Sequence, residues 1–466
     1  MKERFMLWMK SDYTYFHLML AFGVFLGWLM TSLLQPINWI VVAVLLLAAA
    51  WQLWQSPFRH SRHEVWLSLL AMLFYFFIAL YISPQVIDYY SRINSSDVVG
   101  YINRGQQISQ MALHDPREVL NQFVITANLS TAAFYWVVGL FSLLAGGSPL
   151  GILVVCAWFG VMGGFYFVKA FRLHPTEVPP VWYGPLVLFF PSIVFWLTSP
   201  LKDVITFWAL GLMVYGASIF VKGYWSNGLA RIVLSTIVCF SIRPYFAAFF
   251  SVPLIGMGLM FLTRSFLKRS PYMLISALIL VLVGSLWLIW TIDSRGFTIL
   301  GSVEALDSYQ QIAGGTTGGS SISSSSIPLP NAMLSNAGYV SYFLTRLWYV
   351  FTVLFRPLPW EAYNIFTFLA SLENLALLAL AILAIWKSQI VVKSLVRSPL
   401  LLFAAAFAIL FIGAFSLQVV NLGGMVRVKI NVLPFLFPFV AIALSEVLPK
   451  TLYQRIFGGA DICAML

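Results

Sequence analysis

The chain has 466 residues, of which 61% are hydrophobic and only 9% charged, and its mean hydropathy is +0.89. Soluble globular proteins are about 45–50% apolar and about 25% charged, so this composition excludes a water-soluble enzyme, a disordered chain and a secreted disulfide scaffold. It points to an all-α, polytopic transmembrane helix bundle. Three cysteines, Cys156, Cys239 and Cys463, are too few and too scattered for a disulfide framework or a zinc site.

Lys2, Arg4 and Lys10 precede the first apolar run, 13–34. That run lacks a signal-peptide cleavage site and has the ~20 residues a crossing helix needs. It reads as a retained helix with the N-terminus in the cytoplasm. Runs 38–55 and 65–83 come next. A polar outer connection, 84–130, opens with Asn94-Ser95-Ser96-Asp97-Val98-Val99-Gly100-Tyr101-Ile102-Asn103-Arg104-Gly105. It continues as an amphipathic stretch from Gln106 to Leu120, broken by His114-Asp115-Pro116.

Apolar runs resume at 149–168, 181–198, 203–221, 229–242, 245–263 and 272–292. The second long outer connection, 294–338, contains Gly314-Gly315-Thr316-Thr317-Gly318-Gly319 and the serines Ser323 to Ser326. Such a composition cannot bury a core and reads as a mobile lid. Runs 365–386, 399–418 and 430–448 complete twelve expected crossings. Two weaker runs, 131–146 and 339–355, read as re-entrant or interfacial segments within one integral membrane domain.

The net charge of +11 sorts by side under this topology. Arg59, Arg62, Lys169, Arg172, Lys222, Arg231, Arg264, Lys268, Arg269, Lys387, Lys393 and Arg397 fall in cytoplasmic connections, as do the basic residues near both termini. The cytoplasmic side then carries the whole excess and the outer side balances to zero. This is the positive-inside pattern of an inner (plasma) membrane protein with both termini cytoplasmic. No nucleic-acid partner is needed to explain the charge.

The outer-level charges stand in unusual settings. Lys202-Asp203 joins two hydrophobic runs, and Arg243-Pro244-Tyr245 interrupts a long apolar stretch. Arg346, Arg356 and Glu361 bracket a proline-rich segment, Phe355-Arg356-Pro357-Leu358-Pro359-Trp360-Glu361. Glu373 lies within the next apolar run, and Arg427 and Lys429 come after Asn421-Leu422-Gly423-Gly424. An ionisable residue at membrane depth is costly unless paired or hydrated, which makes this set a candidate site. Snorkelling arginines and a local Lys202–Asp203 pair are the structural alternatives.

Arginine recognises phosphate through planar, bidentate hydrogen bonds. A substrate with both a phosphate and a long apolar chain explains a site in the membrane, and a polyprenyl-phosphate or polyprenyl-diphosphate sugar is such a donor. Transfer to a glycan or other hydroxyl acceptor requires a base. Asp97 comes after a polar run and is the first candidate; Asp203, beside Lys202, is the second, better suited to orienting. Arg243, Arg427 and Lys429 supply fixed cations for the leaving phosphate. Tyr101, Arg104, Lys202, Arg356 and Glu361 complete the expected substrate-binding set. No nucleotide-binding loop or Ser/His/Asp arrangement appears.

Asp97-Val98-Val99-Gly100-Tyr101 and the amphipathic stretch after it resemble the first outer loop of the GT-C superfamily of integral-membrane glycosyltransferases. Ala132-Ala133-Phe134-Tyr135 to Gly146-Gly147 is similar to the next segment of that family, and Asp203 occupies the place of its second acidic residue. The resemblance implies an outer-face transferase using a lipid-phosphate-linked sugar. In some members the second acidic residue helps to bind a divalent metal; Lys202 adjoins that position here, a departure from the pattern. Three runs rather than one precede the acidic loop. The segments around Arg243, Arg356 and Arg427 also look like those of bacterial exopolysaccharide and O-antigen polymerase-like proteins. A transporter or flippase for a lipid-linked glycan, or a non-catalytic assembly subunit, is the alternative class. The absence of an internal repeat and the gathering of charge at one face favour the enzyme over the transporter.

Overall fold

A computed structural model of the protein describes residues 62–92, 97–115, 129–173, 180–244, 246–247, 249–251, 253–255, 338–362, 364–416 and 422–447. Expected crossings 13–34, 38–55 and 272–292, most of 245–263, and residues 294–337 of the second long connection lie outside the described residues. Among the described residues there is no strand. The first helices are α1 (Arg62–Phe77), a π-helical turn (Ile78–Ile82), α2 (Ser83–Arg92), α3 (Asp97–His114) and α4 (Leu129–Leu144). Next come α5 (Pro149–Arg172), α6 (Pro180–Phe189), α7 (Pro191–Leu197), α8 (Lys202–Val221) and α9 (Trp225–Ile242). The last are α10 (Gly338–Phe355), a 3₁₀ turn (Pro359–Glu361), α11 (Ile365–Trp386), α12 (Ser388–Arg397), α13 (Pro399–Ser416), α14 (Leu422–Lys429) and α15 (Leu433–Val447).

Six described helices are long and apolar enough to cross a membrane: Leu67–Arg92, α5, α8, α9, α11 and α13. The first runs past its expected end at residue 83, so the connection 84–130 is helical over most of its described length. Pro84 lacks an N–H, and its ring crowds the carbonyl one turn back. The wider π turn accommodates it, with the Ser83 N–H donating to the Ile78 carbonyl. The run 181–198 is likewise not one helix. It breaks at Phe190 into α6 and α7, because Pro191 cannot continue the hydrogen-bond ladder.

Other boundaries also move. The connection expected at 222–231 is only Lys222-Gly223-Tyr224, which places Arg231 inside α9. Residues 388–397, expected as a connection, form the helix α12. The last run starts as a separate helix only at Leu433, after a turn beyond the end of α14. Of the two weaker runs, α4 has 16 residues, shorter than a perpendicular crossing, and α10 has 18.

The chain divides into two compact units. The first comprises Met1–Arg92, Ser96–Phe165 and Val194–Trp208; the second comprises Ile93–Ser95, Tyr166–Ile193 and Ala209–Leu466. In the first, α3 packs along α4. The Tyr101 ring meets Phe134 edge-on at 4.9 Å, Gly105 faces Val138, and the Ser109 and Ser142 hydroxyls are 2.8 Å apart. The constant offset of 33 residues means the two helices run parallel. A Cβ on Gly105 would stand 2.6 Å from Val138 Cγ1 and 3.0 Å from the Val138 carbonyl oxygen. One on Gly139 would stand 2.6 Å from Ile108 Cγ2. The glycines therefore set how closely α3 and α4 approach, since any side chain at either position would push the helices apart.

In the second unit, Phe403, Phe407, Phe411 and Phe415 recur every fourth residue and so share one face of α13. Phe407 stacks on Phe435 of α15 at 4.1 Å, and Phe411 meets Phe246 at 5.3 Å. α15 also packs against α6, whose buried Tyr183 hydroxyl donates to the Pro434 carbonyl at 2.9 Å. This aromatic core holds the segments that carry the buried charges.

Gly105→Leu should separate α3 from α4 and destabilise the protein by about 1–3 kcal/mol. The measurement is the melting temperature of the purified chain, with Gly100→Leu as control, since a Cβ on Gly100 would meet nothing within 4 Å.

Candidate functional site

In the first unit, three helix starts come together. α8 begins at Lys202, whose Nζ donates to Thr131 Oγ1 at 3.0 Å and Ser130 Oγ at 3.5 Å in the first turn of α4. The parallel register of α3 and α4 sets Asp97 level with Ser130. Asp97, Ser130, Thr131, Lys202 and Asp203 therefore gather where α3, α4 and α8 begin. The start of a helix carries partial positive charge that complements a carboxylate. Asp97 is exposed there, whereas Asp203 is fully buried. Tyr101, one turn beyond Asp97, is half-buried against Phe134 and Tyr135. Arg104 turns along its own helix, donating to Gln107 Oε1 at 3.0 Å.

In the second unit, the polar side chains cluster around two proline breaks. Pro357 lies just past the end of α10, through a cis Arg356–Pro357 peptide. Arg356 is buried; its Nε donates to Glu361 Oε1 at 2.8 Å, and its Nη2 pairs with the same oxygen. Glu361 Oε2 accepts the Leu358 N–H at 2.7 Å. Both carboxylate oxygens of Glu361 are thus engaged within this one elbow. The Arg356 guanidinium also lies 5.5 Å from the Trp348 ring centroid.

α11 supplies the neighbours. Asn364 and Thr367 cap its start reciprocally, at 2.8 and 3.0 Å. That cap sets the phase at which Glu373 and Asn374 meet the bundle. Asn374 Nδ2 donates to the Pro357 carbonyl at 2.9 Å, and Asn374 Oδ1 accepts from Lys429 Nζ. Lys429 is fully buried. Burial pulls its ammonium down to about 8, and the Glu373 carboxylate acts in the opposite sense. Glu373 Oε2 accepts the Ser192 N–H at 2.6 Å, beside the α6–α7 break.

Arg243 is buried at the end of α9, its guanidinium 5.7 Å from the Phe246 ring centroid. Pro244 forbids it the helical conformation, and its backbone is extended at φ −147°, ψ 84°. Arg427 is half-buried in the last turn of α14. Tyr245 and the side chain of Arg346 lie outside the described residues.

The expected site residues find their partners within each unit. Lys202 joins the hydroxyls beside Asp97, Arg356 joins Glu361, and Lys429 joins Asn374 and Glu373. Ser130, Thr131, Ser192 and Asn374 escaped the sequence reading. Only Asn374 carried a signal, as half of an adjacent Glu-Asn pair inside an apolar run. Among the described residues, no group of three or more His, Cys, Asp or Glu could hold a metal ion.

No protein-family model matches the chain, and no curated protein or solved structure matches it either.

Asn374→Leu should destabilise the protein by about 2 kcal/mol, because it leaves a buried ammonium without its acceptor. Adding Lys429→Met should recover part of that loss. Melting temperatures of the two single variants and the double variant check this; simple additivity of the two changes would deny the coupling.

Proposed function

We propose that the protein is a membrane glycosyltransferase or polymerase that moves a sugar from a polyprenyl-phosphate or polyprenyl-diphosphate donor to a hydroxyl acceptor. The reaction is assigned to the outer face of the inner membrane, with twelve crossings, two non-crossing segments and cytoplasmic termini. The observation that carries this reading is the gathering of Asp97, Ser130, Thr131, Lys202 and Asp203 at the starts of three helices. It combines an exposed carboxylate with an anchored cation and a second, buried carboxylate.

Asp97 is assigned as the base. It takes the proton of the acceptor hydroxyl as that oxygen bonds to the anomeric carbon. The bond from that carbon to the phosphate oxygen breaks, and the phosphate leaves with the electron pair. Lys202, held by two hydroxyls, offers a fixed positive charge to the developing anion. Asp203 is assigned to orienting Lys202 rather than to proton transfer, since it is fully buried. In the second unit, Arg243, Arg427 and Lys429 are assigned to lipid-phosphate binding. Arg356 and Glu361 shape their elbow through each other.

A second reading has one observation in its favour. A helix broken within an apolar run, as at Phe190 with Glu373 receiving the freed Ser192 N–H, is also a feature of transporters.

The test is sugar transfer by the purified chain in nanodiscs from a panel of labelled polyprenyl-phosphate and polyprenyl-diphosphate sugars. Asp97→Asn should reduce turnover about 10²–10⁴-fold while leaving the melting temperature unchanged. Undiminished transfer by the folded variant would remove Asp97 from the mechanism. Translocation of a lipid-linked glycan in proteoliposomes, with no product formed and no sensitivity to Asp97→Asn, would replace the enzyme with a transporter.

Arg243→Gln and Arg427→Gln should each weaken retention of a polyprenyl phosphate about tenfold, the scale of one lost hydrogen bond to a charged group. Equal retention by both variants would count against the phosphate assignment.

A further inference from the structure

Apart from Asp97 at its start, the face of α3 turned away from α4 takes no part in the proposed transfer. Ile102, Gly105 and Ser109 are buried on the side that packs on α4, where Gly105 meets Val138 and Ser109 meets Ser142. Gln106 serves the same packing, donating to the Gly147 carbonyl at 2.6 Å in the turn after α4. The other side is open. Asp97, Gly100, Asn103, Gln107, Gln110 and His114 are all exposed and follow one another at spacings of three and four. They form one continuous stripe along the helix, opposite the α4 contact. At 1.5 Å per residue the stripe is about 25 Å long.

Its chemistry is unusual for this chain. Four amide side chains, Asn103, Gln106, Gln107 and Gln110, fall within eight residues of a sequence that is 61% hydrophobic. Three of them lie on the stripe. Arg104 donates to Gln107 Oε1 at 3.0 Å, which leaves the Gln107 NH₂ group as a donor. None of the six positions carries an apolar side chain, Asp97 is the one acid among them, and none is lysine or arginine. A bilayer surface or an apolar helix would find nothing to bury there. A nucleic acid would find no row of cations. Amides both donate and accept hydrogen bonds, as sugar hydroxyls do, so the face matches a neutral polyhydroxyl chain.

Gly100 gives a second, independent indication. Within a helix, glycine is less favourable than alanine. Packing does not explain it, because a Cβ there would meet nothing within 4 Å. It lies one turn from Asp97 on the same stripe, so bare backbone adjoins the carboxylate assigned as the base. Such a gap admits the close approach of a sugar ring.

We propose that the exposed stripe of α3 binds the acceptor as an extended neutral oligosaccharide, its reacting hydroxyl brought over Gly100 to Asp97. This inference rests on the transferase reading for the identity of the acceptor. Asn103, Gln107 and Gln110 hold successive sugar rings, and Gly100 sets the clearance at the reacting end. They act on acceptor binding, not on the proton transfer itself.

The test measures binding to the full chain in nanodiscs with no sugar donor present, so it reads the surface separately from catalysis. The probes are neutral oligosaccharides of increasing length, with acidic oligosaccharides, short polar peptides and single-stranded DNA alongside. At least one neutral oligosaccharide should bind, more tightly as it lengthens, and should protect peptides covering 97–114 from hydroxyl-radical labelling. Protection confined to other peptides would overturn the proposal without any variant having to fold. Binding of no neutral oligosaccharide, or a preference for peptide or DNA, would overturn it too. Asn103→Leu and Gln107→Leu should each weaken binding about fivefold, the scale of one neutral hydrogen bond. Gly100→Leu should weaken it about tenfold while the melting temperature holds. Unchanged binding by the folded Gly100→Leu protein would remove the stripe as the site. If the unaltered chain binds the oligosaccharide through α3 yet transfers no sugar from any donor, the transferase reading fails and the glycan surface stands. If it transfers sugar and Gly100→Leu leaves acceptor saturation unchanged, the surface fails and the transferase reading stands.

Discussion

The fold depends on one constraint: inside a bilayer every backbone N–H and carbonyl must find its partner within the protein. Helices satisfy it without help until a proline interrupts them. The described chain contains several such interruptions, at Pro84, Pro191, Pro244 and Pro357, and each is resolved differently. The π turn before Ser83 absorbs the first. Glu373 receives the Ser192 N–H released by the second. Phe246 donates to the Arg243 carbonyl at the third, and Asn374 donates to the Pro357 carbonyl at the fourth.

This constraint explains why polar residues occur at all in runs so apolar. Glu373 and Asn374 sit together on α11 because two separate breaks need a partner there. Lys429 is tied to the same pair, so the donors and acceptors form a connected chain from α14 through α11 to the elbow after α10. Buried ionic groups of this kind add little net stability against an apolar replacement, but removing one member leaves the others stranded. Their value is geometric. They hold segments that helical hydrogen bonding alone would leave undefined.

Charge obeys a second regularity. Asp97 and Asp203 stand at the starts of α3 and α8, while Lys169, Arg172, Arg397 and Lys429 occupy last turns. The helix dipole favours this arrangement at both ends. It also gathers a mixed-charge cluster where α3, α4 and α8 begin, which suits acid–base work on a neutral hydroxyl. Tight glycine contacts underlie it, between α3 and α4.

The amino-acid sequence by itself determined the helical class and the six long apolar spans found among the described residues, because hydropathy over ~20 residues is a local sum that no neighbour can alter. Runs such as 203–221 and 365–386 reappear as α8 and α11 nearly residue for residue. It also marked Lys202, Arg356 and Lys429 as out of place in apolar surroundings. Partners were beyond its reach. That Lys202 would meet Thr131, that Glu361 would spend both oxygens on its own elbow, and that Asn374 would join Lys429 to Pro357 are decided between segments distant in the chain or by the path of a turn. Prolines inside apolar runs were visible, but whether a helix bends, breaks or widens there depends on which side chain arrives to take the freed backbone group. That choice exists only once the helices have packed.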